Sequence, residues 1–416
     1  MTRRSLFAST LSAWGHLALC SFLFCCMPMF MPAIARAQSA DDVQRQLKDA
    51  LGLYEQGRYI EALPLFQHLD EIHPNDAVVK AHLGFTLVAL AVTKSDPEER
   101  EQVRIRARKY LLDAQGLGDK SSLVAALLDG LPPDGIVAPY SSRKEVDDAM
   151  REGETAFANG DLEAATAAYQ RALLLDPNQY FAALFIGDVH FRKKEREQAG
   201  VWFARAIAID PNTETAYRYW GDALAQSGNY SDALEKYIDA IVAQPYLRTS
   251  NGGLFQFALL RHKTLTQPHI VSPNSHNNDG NKTNITIDGN TLSKKDGTED
   301  WLIYEMSRST WNKEKFKTEY PDEEEYRHSL KEETGALSLM AGRLEEQMKS
   351  KEIDSIDPTL AILLKLENEG LIEAYVLISA PDQGIAKDYP AYRDAHRGLI
   401  HQYIEEYVAA PLAKKD

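Results

Sequence analysis

Cysteine is nearly absent from this 416-residue chain: Cys20, Cys25 and Cys26 are all it has, and they crowd into the N-terminal segment. If that segment is removed, disulfides, thiolate catalysis and cysteine-ligated metals are excluded from what remains. Excess positive charge is missing too. The 46 Lys and Arg residues stand against 61 Asp and Glu, a net of −15. Such a surface repels phosphate backbones and anionic lipid, so nucleic acid has no support as a partner. After the N-terminal segment there is no G-x-S-x-G, no H-E-x-x-H, no Walker-type glycine loop and no Rossmann fingerprint. Nothing specific points to catalysis, and no cofactor or metal is expected.

Long apolar runs are scarce. One extends from Leu17 to Ile34, follows Arg3 and Arg4, and ends at Ala35-Arg36-Ala37, an A-x-A-like cleavage site. Residues 1–37 therefore read as a signal peptide cleaved after about Ala37, which places the protein in the periplasm or outside the cell. An uncleaved N-terminal membrane anchor is the alternative; Pro28 and Pro32 near the end of the run favour cleavage. The opening TRRSLF also fits the twin-arginine route. Cys20 makes a poor lipidation site because bulky Leu19 precedes it. Without Arg3, Arg4 and Arg36 the count becomes 43 basic against 61 acidic residues, a net of −18. No membrane insertion is expected after cleavage.

What the chain does have is an internal period. Aligning Gly153, Gly187 and Gly221 at a spacing of 34 also aligns Ala165/Ala199/Ala233, Tyr169/Phe203/Tyr237, Ala172/Ala206/Ala240 and Pro177/Pro211/Pro245. Each unit reads as two amphipathic helices joined by a short turn, NGD, KKE or SGN. Glycine and alanine belong where the helices cross, since only side chains that small let two backbones approach. The aromatic column fills the space beside them. Proline ends the unit, because its ring cannot continue the hydrogen-bond ladder and it pushes the preceding residue out of the helical region.

These columns resemble the tetratricopeptide repeat, in which 34-residue helix pairs stack into a right-handed superhelix. Units 146–179, 180–213 and 214–247 match in register, with Lys194 where the other turns carry Gly160 and Gly228. If the backbone is left-handed there, lysine costs on the order of 1 kcal/mol. An earlier unit at 43–76 places Gly57, Ala62, Phe66 and Pro74 at matching offsets. Residues 77–118 read as a stretched, degenerate repeat opening with Leu83-Gly84, and 120–130 as an extra short helix. The expected organisation is all-α: a degenerate front section at 38–130, a loop at 131–145, a regular array with a terminal helix at 146–265, an Asn/Gly-rich linker at 266–297 and a helical domain of unrecognised type at 298–416.

Ser250 or Asn251 is expected to cap the terminal helix, whose Leu254, Phe255, Phe257, Leu259 and Leu260 leave it apolar on more than one side. TNITID, at 283–288, alternates enough for one short strand. Helices are expected near 299–317, 321–349, 357–369, 370–379 and 388–409, the second opened by Pro321, Asp322 and three glutamates. Glu325 and His328, with Glu332 one turn on, could present carboxylate and imidazole on one helix face. A metal-binding bundle needs that pair twice, however, so a solvated charged face is the expectation. His396 and His401, five apart, do not share a face and read as structural or surface residues.

Binding is what remains, and the resemblance implies where. First helices of successive units line a concave groove, and by register its lining here is Glu154 and Phe157, then Phe181, Leu184, Asp188, Phe191 and Arg192, then Arg218, Asp222 and Gln226. Some members of the family hold a peptide's terminal carboxylate with a Lys/Asn clamp. Glu154, Asp188 and Asp222 stand where those asparagines would be, so a C-terminal carboxylate is a poor ligand. Aromatic rings beside acidic groups suit an extended or helical segment with apolar anchors and some Lys or Arg. The alternative for the groove is that the front section or the tail of the chain fills it. The function expected is a non-enzymatic adaptor or scaffold that binds a protein or peptide; an enzymatic or metal-dependent activity in residues 298–410 is the second possibility, and capture of a small ligand or carbohydrate a third, weakened by a lining without Trp.

Overall fold

The computed structural model describes residues 32–94, 96–279, 282–289 and 294–413. The cysteines and most of the segment read as a signal lie outside them. Two compact units divide the chain: the first holds residues up to Ala240 together with Tyr246–Gly253, and the second holds Ile241–Pro245 and everything from Leu254 on.

The first unit is a run of helix hairpins. Its front section comprises α1 (Pro32–Glu55), α2 (Tyr59–Ile72), α3 (Ala77–Ala91), α4 (Pro97–Gly116) and α5 (Ser122–Gly130). Then come α6 (Lys144–Ala158) with α7 (Leu162–Leu175), α8 (Tyr180–Arg192) with α9 (Arg196–Ile209), and α10 (Thr215–Gln226) with α11 (Tyr230–Ala243). Neighbouring hairpins pack in series, α7 on α8 and α9 on α10.

The small residues sit at the crossings. A Cβ on Gly153 would lie 2.4 Å from the Tyr169 ring, one on Gly187 2.6 Å from Phe203, and one on Gly221 3.0 Å from Tyr237. All six alanines of the two alanine columns are fully buried. The stretched repeat keeps this joint: a Cβ on Gly84 would lie 2.6 Å from Leu111, flanked by buried Ala107 and Ala114. Ala107-x-x-x-Leu111-x-x-Ala114 has the spacing of Ala165-x-x-x-Tyr169-x-x-Ala172, displaced because the α3–α4 hairpin is longer.

Turns and stops follow from the same columns. Gly57, Gly160 and Gly228 adopt φ of 75°, 81° and 80°, and Lys194 adopts the left-handed conformation at 64°. In α2, α7, α9 and α11 the last helical residue stands two before Pro74, Pro177, Pro211 and Pro245. After two of them an Asx turn forms, with Asn178 N donating to Asp176 at 3.0 Å and Asn212 N to Asp210 at 2.9 Å.

The helix α12 (Arg248–Leu260) begins two residues before the expected Ser250 cap, and the division between units falls within it rather than after residue 265. In the first unit, Thr249 Oγ1 at its start donates to Glu214 at 2.9 Å.

The second unit departs further from expectation. The segment read as a linker is fastened down: Thr266 N donates to Val408 O at 3.0 Å, Gln267 to Ser379 O, Ile270 N to the Tyr375 hydroxyl at 3.0 Å, and Ser272 Oγ to Glu305 at 2.7 Å. It also carries an antiparallel hairpin, β1 (Ser275–Asp279) with β2 (Lys282–Thr286), registered Ser275 to Thr286. The TNITID expectation thus found one strand and missed its partner, whose polar SHNND sequence has no strand signature.

Beyond it lie α13 (Trp301–Glu314), α14 (Phe316–Glu319), α15 (Leu330–Ser350), α16 (Pro358–Glu369), α17 (Ile372–Ser379), α18 (Tyr389–Tyr403) and α19 (Ala410–Ala413). Pro321 does not open a helix. Lys317 Nζ takes the carbonyls of Glu323 and Glu324, which a helix would need for its own ladder. The helix starts at Ser329 instead, whose extended backbone lets its hydroxyl accept from Glu332 N at 3.3 Å.

Candidate functional site

The carried-over residues lie in register on α6, α8 and α10, but they do not form an open wall. Glu154, Phe157, Leu184, Asp188 and Arg218 are buried, Phe181, Phe191, Arg192 and Asp222 are half-buried, and Gln226 alone of the ten is exposed. The front section of the chain covers the α6–α8 part of the lining.

Three contacts make that cover. Arg192 lies over the Phe157 ring, 5.0 Å from its centroid, and donates to Phe157 O at 3.1 Å. Its guanidinium also rests on the bare backbone of Gly57, where a Cβ would come within 2.2 Å. Tyr59, one residue into α2, feels both Arg192 and Asp188, and burial pushes its phenol up to about 12. Finally, Thr155 Oγ1 on α6 donates to Val92 O at the end of α3 at 2.9 Å.

The loop after α5 supplies the second layer. Gly135, at φ 72°, has no room for a side chain against the Glu101 carbonyl, 2.5 Å from where a Cβ would be. Arg104 donates to Gly135 O at 3.4 Å. From there the chain runs without regular secondary structure to a bend at Tyr140, whose backbone is held at both ends: its N–H donates to Asp147 at 2.6 Å and its carbonyl accepts from Gln179 Nε2 at 3.2 Å. The ring meets Phe181 edge-on at 5.7 Å and Phe185 at 6.1 Å. The hydroxyl hydrogen-bonds Glu154, whose carboxyl is pushed up to about 7 by burial against the opposing pull of that bond, Arg104 and Arg151.

The α10 end of the lining is arranged differently. Arg218 Nε donates to Glu214 at 3.0 Å and its guanidinium faces the Tyr219 ring at 4.8 Å. Asp222 accepts from the Tyr237 hydroxyl at 2.7 Å and is pushed up to about 6 by burial. Two of the three acidic groups in the register column are thus bonded to tyrosines. No carboxylate clamp is built there.

Sequence reasoning missed Tyr140, Gln179, Arg104 and Tyr59. The one available signal for Tyr140 was an isolated aromatic in the turn-rich stretch LPPDGIVAPYSS.

In the second unit, His328 does not share a helix with Glu325 and Glu332. It lies in the irregular stretch before α15, its Nδ1 2.7 Å from Asp382 and its Nε2 2.9 Å from Glu333. Two carboxylates raise its pKa despite burial and Arg308. Glu332 is fully buried and accepts from Tyr326 at 2.9 Å, while Arg308 spans Glu332 and Glu333. Glu325 is exposed. The charges satisfy one another, and among the described residues no group of three or more His, Cys, Asp and Glu is placed to hold a metal ion. His396 is exposed beside the Tyr392 ring at 4.7 Å, and His401 is half-buried.

A family model described as tetratricopeptide repeat matches residues 150–179. No curated protein matches the sequence. Among solved structures, the chain is similar to MamA, at 17% identity over 50% of this chain and 93% of that one with a TM-score of 0.22. It is also similar to YrrB, described as a TPR protein with an unusual peptide-binding site, at 18% identity, 53% and 95% coverage and a TM-score of 0.23. The TPR2AB domain of yeast Sti1, solved in complex with pHSP90, gives 13% identity, 54% and 98% coverage and a TM-score of 0.27. These likenesses concern the fold alone. Among the described residues no helix is long and apolar enough to cross a membrane.

Proposed function

We propose, from the premise that this chain carries a tetratricopeptide-type helical repeat region with a structurally distinct helical segment after it, that the protein is an exported, non-enzymatic adaptor whose array binds a polypeptide. The observation that carries this reading is Tyr140. A residue at a bend in the loop already lies on these helices, held by its backbone N–H, its carbonyl and its aromatic ring. A segment from another polypeptide could be taken the same way, with main-chain bonds for affinity and a packed ring as the anchor.

With the α6–α8 part of the lining engaged by the front section, the surface left for a partner runs from Phe191 through Asp222 to Gln226. Phe191 suits an apolar anchor there, and Asp222, the one acidic group among these three, a Lys or Arg beside it. Export rests on Arg3, Arg4, the apolar run and Ala35-Arg36-Ala37. Cleavage after Ala37 would shorten α1 to 38–55 and leave the hairpin joint with α2 in place.

Pull-down from an envelope extract tests the reading, comparing the parent chain with Phe191→Ala/Asp222→Ala and with Leu174→Ala, a residue 83% exposed on a second helix of a hairpin. Loss of a protein partner from the first variant and its retention by Leu174→Ala is the expected result. Identical partner sets for all three would remove the inner face from consideration.

A further inference from the structure

We infer that the Tyr140 seat is a recognition site for a segment presenting a tyrosine, held shut in this chain by its own residues 136–141. The inference deepens the binding reading above and rests on it.

The seat has the parts such a ligand needs, and each comes from a different place. Phe181 and Phe185 of α8 give an edge-on aromatic floor. Asp147 of α6 and Gln179, just ahead of α8, hold one residue's N–H and carbonyl, so the occupant's backbone must be free of helical hydrogen bonds at that point. Glu154 takes the hydroxyl. Glu154 is 6% exposed, and one of its carboxyl oxygens has no partner. A phenylalanine in the same place would leave the other oxygen unpaired as well. Sites built to hydrogen-bond a substrate hydroxyl reject the analogue lacking it far more strongly than apolar pockets reject an extra methylene.

The occupying segment is fastened lightly outside that residue. Ile136, Ala138 and Pro139 are exposed, Val137 alone among them packing against the front core. Pro139 keeps the residue before it out of the helical region, which suits a strap that is not helical. Tyr140 itself is half-buried and belongs to the loop rather than to either helix of a hairpin. A tethered occupant of this kind lowers the apparent affinity for any external segment by its high local concentration.

The peptide spanning residues 135–143, GIVAPYSSR, and its Tyr-to-Phe analogue are the probes. Each is titrated by fluorescence anisotropy against the full-length chain, Tyr140→Ala and Tyr140→Phe. Tyr140→Ala is expected to bind the tyrosine peptide at least 10-fold more tightly than the parent does, and to prefer it at least 10-fold over the phenylalanine peptide. Tyr140→Phe keeps the ring stack and guards against misfolding of the alanine variant; it is expected to show the same preference with a smaller gain over the parent. Equal binding to parent and variants, equal binding of the two peptides, or no binding to either variant overturns the inference. If the pull-down still loses its partner with Phe191→Ala/Asp222→Ala, the binding role of the inner face survives that failure. Loss of both results would end the binding role as well.

Discussion

Gly187 has no side chain because the Phe203 ring occupies the space, and the same holds for Gly153 beneath Tyr169. Adding a methyl group at either position forces a buried aromatic to move in a full core, so Gly187→Ala should lower stability by about 1–3 kcal/mol in urea unfolding. Pairing it with Phe203→Leu should recover part of that loss, which an unspecific helix effect would not do. The opposite sign is expected at Lys194. Its φ of 64° is one that glycine adopts freely, and Gly160 and Gly228 hold the equivalent turns with open space around them. Lys194→Gly should therefore stabilise by up to about 1 kcal/mol, and Gly228→Lys should destabilise by a similar amount. These residues were legible because a crossing of two helices leaves a periodic sequence trace. The covering of Asp188 and Arg192 was not, since it involves Tyr59 and Gly57, more than 120 positions earlier in the chain.

At the scale of single elements, the instructive case is the start of α15. Proline and four acidic residues at 321–325 satisfy the local rules for a helix opening, yet the carbonyls of Glu323 and Glu324 are taken by Lys317, and Arg327 is drawn to Asp388 at 2.8 Å and to Gly384 O. Tertiary bonds outweighed a local preference. The true cap was readable as Ser329-x-x-Glu332, the form of a capping box. Ser329→Ala should cost about 1 kcal/mol by denaturant titration.

His328 gives this junction a pH dependence. Its pKa is raised in the folded chain, so its stabilising contribution is complete below about 6.5, the ordinary value of an unfolded histidine, and is lost as pH rises through the higher folded value. Asp382 and Glu333 are both lowered, so theirs is present above their ordinary range and lost only in acid. Thermal melts from pH 5.5 to 9 should show the gap between parent and His328→Gln shrinking with rising pH. A gap that stays constant would mean the imidazole does not titrate in that window.

For the whole molecule, the periodicity identified the hairpin array, the proline stops and the stretched repeat, because local packing repeats from unit to unit. It could not say which part of the inner lining is open. That depends on how the earlier chain returns onto α6 and α8 through Arg192, Thr155 and Tyr140, contacts between residues 39 to 135 positions apart that leave no periodic signature. The second unit lacked a repeat altogether, and its fastened 266–289 segment is held by bonds to residues more than 100 positions away.

The central claim is that the inner face, at the end left open by the front section, meets another polypeptide. A photo-crosslinking residue placed at Gln226, on that face, and in a second chain at Leu174, on the outer side of a hairpin, tests it most directly in an envelope extract. A discrete protein adduct from position 226 and none from position 174 is the predicted result. No adduct at 226, or the same adducts at both positions, would contradict it.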